Sequence, residues 1–185
     1  MASGSASRKA SGACWCSAIL GNEFLLWLWY ALETEGDLVR LADDSDVTVM
    51  LARTLALECP KGQSGSETIR SEAPTKLPEA RRAVQAGKLP RQAGVILVRH
   101  DQQYELTLQA ETLAVGGAKL PPVEDGEPRV TLEDRVGQLR HLIETIDLLY
   151  GAFLGRRLGA DWPRELERVQ RWLQRDERGR LAASA

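Results

Sequence analysis

The residues Phe24 to Leu32 read FLLWLWYAL, an uncharged run with two tryptophans and a tyrosine among leucines. A helix made from it is apolar nearly all round, and such a helix must be buried by the rest of the fold or by a partner. The run is too short for a bilayer, which takes about 20 apolar residues. Asn22 and Glu23 interrupt it upstream, so neither a membrane span nor a signal peptide is expected. With Asn22 as N-cap and Gly36 as stop, the segment predicts a buried helix.

The remaining chain has to supply the cover. At 185 residues with a hydrophobic fraction of 43%, it suits one domain with a core that needs no disulfide or metal. Residues 1–18, rich in Ser, Ala and Gly, offer no core-forming face and are expected to be a disordered or artefactual tail; 176–185 are expected to be a second one. The domain between them runs over 19–175. The three cysteines, Cys14, Cys16 and Cys59, form no disulfide framework, which points to a reducing, cytoplasmic setting. Cys14 and Cys16 are one residue apart with no second pair, so they read as incidental thiols.

Strands are predicted over Asp37–Ala42, Val47–Leu57 and Glu67–Glu72, with an irregular, bulge-prone second half in LARTLALE. A helix follows over Leu77–Ala86, with Pro78 in its first turn and Gly87 ending it. Ala93–Arg99 and Tyr104–Leu108 then read as a hairpin through His100 to Gln103, with Val95, Leu97 and Arg99 on one side and Ile96 and Val98 on the other. Leu113–Val115 adds a short strand before Gly116-Gly117.

From Leu132 the apolar residues Val136, Leu139, Ile143, Ile146, Tyr150 and Phe153 step by four and three, the seam of one long helix widened by Leu142 and Leu149. Asp161 caps a last helix carrying Leu166, Val169, Trp172 and Leu173. The predicted class is α+β: a mostly antiparallel sheet with a middle helix and a long C-terminal helical hairpin.

Three blocks carry a resemblance. LGNEFLLWLWY, from Leu20 to Tyr30, is similar to the LGxEFLxWLW block of the shorter bacterial proteins of the recombination-associated RdgC family. EARRAVQAGK, from Glu79 to Lys88, looks like that family's helix ending in Ala-Gly-Lys before two strands. The helix from Leu132 to Leu158 stands where the family has its C-terminal helix. The resemblance covers roughly Leu20 to Leu173 and matches the C-terminal region of those proteins, which implies a fragment lacking their N-terminal region. It further implies sequence-tolerant binding of duplex DNA, a homodimer, modulation of RecA-driven recombination and a nucleoid-associated location.

The basic charge that would serve such binding lies in one window. Lys76, Arg81, Arg82, Lys88, Arg91 and Arg99 share it with a single acid, Glu79. Arg81, Arg82, Lys88 and Arg91 are the candidate phosphate contacts, because clustered cations release counterions on binding a polyanion. The net charge of −2 requires any such binding to rest on this local cluster. A second basic set, from Arg156 to Arg180, is interleaved with acids and reads as a salt-bridged surface.

Trp27, Trp29 and Tyr30 are candidates for self-association: one seam cannot cover both sides of their helix, so a homo-oligomer is expected. His100 reads as a turn residue. His141 has no second histidine at ligand spacing, so no metal and no cofactor are expected. No phosphate loop, nucleophile elbow or catalytic carboxylate pair is present, which argues against an enzyme and a small-molecule substrate. The leading expectation is a DNA-binding recombination modulator. The alternative is a non-enzymatic interaction or scaffold protein that has lost DNA binding.

Overall fold

The helix α1 (Leu20–Thr34) lies at the centre of the fold, with buried side chains on every side. The computed structural model describes residues 20–59, 65–123 and 128–174. The expectations for the two tails, and for Cys14 and Cys16, lie outside the described residues.

After α1 the chain forms β1 (Leu38–Arg40), β2 (Asp46–Glu58) and β3 (Ser66–Ser71). A short 3-10 turn leads into α2 (Pro78–Gln85). Then come β4 (Leu89–Arg99), β5 (Gln102–Gln109), β6 (Val115–Lys119), α3 (Pro128–Arg157) and α4 (Trp162–Leu173). The fold is α+β, with one six-stranded sheet in which every pairing is antiparallel. β2 is its spine. β4 lies along one edge of β2, while β1 and β3 share the other, pairing with residues 46–48 and 53–58 respectively.

Period-two alternation sets the core face. The rows Val49–Leu97–Tyr104 and Leu51–Val95–Leu106 run across β2, β4 and β5 in register, and all six side chains are buried. Arg99 continues this face, as the alternation predicts, and it too is buried. Among the described residues, no helix is long and apolar enough to cross a membrane.

Four local expectations change. Asn22 lies inside α1 and not at its start; its amide donates to the Pro90 carbonyl at 2.6 Å, tying the helix to β4. The β4–β5 loop is only His100-Asp101, both with positive φ, and Gln102 and Gln103 already belong to β5. That is the two-residue hairpin geometry whose twist matches the flanking strands. β6 begins at Val115 and includes Gly116 and Gly117. Asp161 does precede α4, but its side chain makes no cap hydrogen bond.

The expectation of an exposed face at Trp27, Trp29 and Tyr30 is overturned: they are 2%, 1% and 9% exposed. The C-terminal half of α3 covers one flank, with Phe153 against Phe24 and Trp27 at centroid distances of 5.6 and 5.5 Å. The helix α4 covers the other, with Trp172 edge-on to both Trp29 and Tyr30 at 5.5 and 5.6 Å. The sheet takes the third side. The seam of α3 is one cover, and α4 provides a second. α3 and α4 meet near their connection, through Phe153 against Trp162 and Arg156 with Glu165, and each packs on α1.

The bulge expected in LARTLALE is present. Between the pairs Leu51–Val95 and Leu55–Ala93, β2 advances four residues while β4 advances two, and Arg53 takes φ 69°. Gly94 faces this irregularity, and a Cβ there would lie 2.1 Å from the Ala52 carbonyl oxygen. Gly21 is tighter, its Cβ position 1.6 Å from the Ala110 carbonyl oxygen. Backbone cannot retreat cheaply, so Gly94→Ala is expected to cost at least about 2 kcal/mol, the scale of overpacking a filled core. Urea unfolding of the variant, with its midpoint compared to the parent, checks this.

Candidate functional site

The basic stretch is the first candidate, and its side chains do not converge on a free surface. Arg81 projects from α2 toward α1 and α4. Its guanidinium pairs with Glu33 at 2.5 Å, donates to the Trp172 carbonyl at 2.9 Å and lies 4.7 Å from the centre of the Trp172 ring. Lys88 pairs with Glu67 of β3 at 2.9 Å, and Arg91 with Glu58 at the end of β2 at 3.1 Å. Arg82 stands exposed on the outer side of α2. A linear window holding one acid therefore becomes, in space, a set of cations met by acids from α1, β2 and β3. Those acids lie 21 to 48 positions from their partners in the sequence, from Lys88–Glu67 to Arg81–Glu33.

Glu33 joins three helices. Its carboxylate accepts from Trp29 Nε1 at 2.7 Å, from Trp172 Nε1 at 2.9 Å and from Arg81, so one side chain joins α1, α2 and α4. The second basic set behaves as expected where it is described. Arg156 pairs with Glu35 and Glu165, Arg157 with Glu23, and Arg164 with Asp161.

The second candidate is the seam of α3, which splits in two. Its far half is core: Ile146 is 5% exposed and Phe153 is fully buried, alongside Leu142 and Leu149. Its near half is open, with Leu132, Val136, Leu139 and Ile143 exposed by 43–64%. Arg135 and Gln138, on another side of the same turns, donate to the Pro121 carbonyl at 2.8 and 3.3 Å and hold this half against the segment after β6.

The third candidate is one that sequence spacing could not reveal. The chain has two histidines, and the fold puts them together. His100 Nδ1, in the β4–β5 turn, lies 3.3 Å from His141 Nε2 on α3. His141 Nδ1 lies 2.8 Å from Tyr104 Oη, and that hydroxyl donates to Gln102 Oε1. With its proton committed to Gln102, the Tyr104 oxygen accepts from His141 Nδ1–H, which leaves the lone pair on Nε2 facing His100. Burial lowers the His141 pKa below its ordinary value, the positive charges of Arg99 and His100 lower it further, and Glu144 opposes them. Burial also raises the Tyr104 phenol. The pair lines a cleft of about 650 Å³ together with Gln102, Glu133, Asp134 and Gln138. Among the described residues, no group of three or more His, Cys, Asp or Glu side chains is arranged to hold a metal ion.

Arg81 is thus a structural residue. Replacing it with Ala removes a hydrogen bond, an ion pair and a ring contact, and is expected to lower stability by about 1–3 kcal/mol. Arg91→Ala, which breaks a half-exposed surface pair, is expected to stay within about 0.5 kcal/mol of the parent. Paired urea or thermal unfolding of the two variants checks the contrast. Comparison with protein-family models, with curated proteins and with solved structures returns no match for this chain.

Proposed function

We propose that the chain is a non-enzymatic interaction protein that pairs with a second copy of itself along the first half of α3. The observation that carries this reading is the open seam of Leu132, Val136, Leu139 and Ile143, spaced by four, three and four residues. That spacing is self-complementary. Two such helices laid antiparallel, about an axis between Gly137 and Gln138, set Leu132 opposite Ile143 and Val136 opposite Leu139, twice over.

Charge agrees with the same axis. Glu133 and Arg140, both exposed, lie seven residues apart on one border of the seam, and the antiparallel arrangement brings each toward the other's counterpart. A pairing of two short seams is modest in area, so its strength belongs in the micromolar range and not the nanomolar. At tens of micromolar, roughly the concentration at which such dimers populate, light scattering on the purified chain is expected to report a dimer. Leu139→Asp is expected to return the monomer with an unchanged circular dichroism spectrum. Arg140→Glu should weaken the dimer, and adding Glu133→Arg should restore it. A parent chain that stays monomeric at several hundred micromolar (well above this range) would exclude the pairing.

The second reading is sequence-tolerant binding of duplex DNA, with a role in recombination and at the nucleoid. The resemblance of the Leu20–Tyr30, Glu79–Lys88 and Leu132–Leu158 blocks to the RdgC family supports it. The exposed Arg82 and the pairs Lys88–Glu67 and Arg91–Glu58 bear on it directly: such surface pairs contribute little, and a phosphate can displace the carboxylate. Arg81 is left out of this reading because it holds helices together. The test is a mobility shift on duplexes of unrelated sequence at two salt concentrations. Binding should fall with salt, ignore sequence, and vanish in the triple variant Arg82→Glu, Lys88→Glu, Arg91→Glu. Equal retention by parent and triple variant would remove these residues from the reading.

A further inference from the structure

The histidine pair supports a site of a different kind. We propose that His100 and His141 together bind a divalent transition-metal ion of the zinc, nickel or copper class at the edge of the cleft they share.

The separation of the two nitrogens is the first argument. A metal at about 2.0–2.1 Å from each of two imidazole nitrogens, in tetrahedral geometry, holds those nitrogens about 3.3–3.4 Å apart. His100 Nδ1 and His141 Nε2 are 3.3 Å apart already.

The second argument is orientation. Metal-binding histidines commonly donate their other ring N–H to a neighbouring acceptor, which fixes the tautomer and the ring plane. His141 meets that requirement through Tyr104 Oη, itself fixed by donation to Gln102. The result is an Nε2 lone pair held at the cleft wall. His100 is fixed from the other side by its turn. His100 and Asp101 have φ of 50° and 60°, the left-handed conformation of a two-residue hairpin loop. That turn carries the His100 ring to the half-buried imidazole of His141 on α3.

Charge and donor chemistry narrow the ligand. Glu133 and Asp134 line the same cleft and favour a cation over an anion. Arg99 opposes a cation beside His141, and its guanidinium is paired with Asp43 at 3.0 Å. Two imidazoles select borderline metals, while magnesium and calcium require oxygen ligands. The protein supplies two nitrogens, and water completes the shell. Affinity is accordingly modest, far weaker than that of a closed four-ligand site.

The test is calorimetric titration of zinc chloride into the full chain, purified without a histidine tag and treated with chelator. The expected result is saturable binding near one equivalent. His100→Asn keeps a residue that tolerates the left-handed turn, and is expected to lose at least tenfold in affinity with no change in metal-free melting temperature. His141→Gln is expected to lose at least as much. Zinc should raise the melting temperature of the parent and not of His100→Asn, whereas magnesium should raise neither. Cobalt(II) reports the donors: weak visible bands fit nitrogen and water ligands, and an intense near-ultraviolet thiolate band places the metal on cysteine. Absence of saturable heat, equal affinity in parent and His100→Asn, or a thiolate band would each overturn the proposal. The first of these would leave the two rings joined by a hydrogen bond alone.

Discussion

Covering α1 is the constraint on which the rest of the molecule depends. A helix whose Phe24, Leu25, Trp27, Leu28 and Trp29 are all essentially buried cannot rest on a sheet alone, because a sheet covers one side. Each of those side chains contributes about 1.5–3 kcal/mol by leaving water, so exposing even two of them would consume much of a small domain's net stability. The fold therefore stacks three kinds of cover around one helix. The sheet lies on one side, the far half of α3 on a second, and α4 on the third. Glu33 closes the arrangement at its polar end. Its carboxylate satisfies the indole N–H groups of Trp29 and Trp172, two donors that burial would otherwise leave unpaired.

That solution decides what the basic residues can do. Docking α4 against α1 brings Glu33 and the Trp172 ring together in front of α2, and Arg81 is the cation that neutralises the one and stacks on the other. A positive charge used this way is not offered to a phosphate. It also decides the two fates of α3. The same four-and-three spacing runs from Leu132 to Phe153, yet the sheet and α1 reach only its far half. The buried stripe there includes Leu142, Leu149 and Thr145, and is rotated around the helix from the seam that spacing alone marks out. The near half keeps the seam's spacing with nothing of the described chain upon it.

How far the fold was legible follows from which signals are local. The helix over Leu20–Thr34, the hairpin of β4 and β5 with Val95, Leu97 and Arg99 on one side, and the bulge in β2 all rest on patterns within about a dozen residues, which periodicity reports well. The start of α1 was misplaced because Asn22 resembles a cap, while its amide is engaged with Pro90, 68 positions away. Exposure of Trp27, Trp29 and Tyr30 was misjudged for a related reason: periodicity marks an apolar face without saying which element will meet it. The candidate site was the least legible part. Glu33, Glu58 and Glu67 neutralise cations from other elements, and no window around Arg81 or Arg91 contains the first two. His100 and His141 were each unremarkable in their own neighbourhoods, being 41 positions apart.

What brings those two histidines together is a buried charge. Arg99 sits on the core face of β4, one residue before His100, with its side chain 5% exposed. Such a charge is tolerable only when most of its donors are occupied. Nη2 reaches Asp43 at 3.0 Å and Ser45 at 3.1 Å, and Nη1 reaches Thr145 at 3.4 Å, while Nε is buried without a partner among the described residues. Thr145 in turn donates to the His141 carbonyl at 2.7 Å. The arginine thus ties the end of the hairpin to the β1–β2 loop and to the turn of α3 that carries His141. Its position has a second consequence: burial disfavours a proton on His141, and the charge of Arg99 adds to that effect. Geometry at this corner therefore has one origin: a hairpin end anchored by a buried guanidinium holds His100 Nδ1 and His141 Nε2 3.3 Å apart, a separation at which two ring nitrogens can share one metal ion.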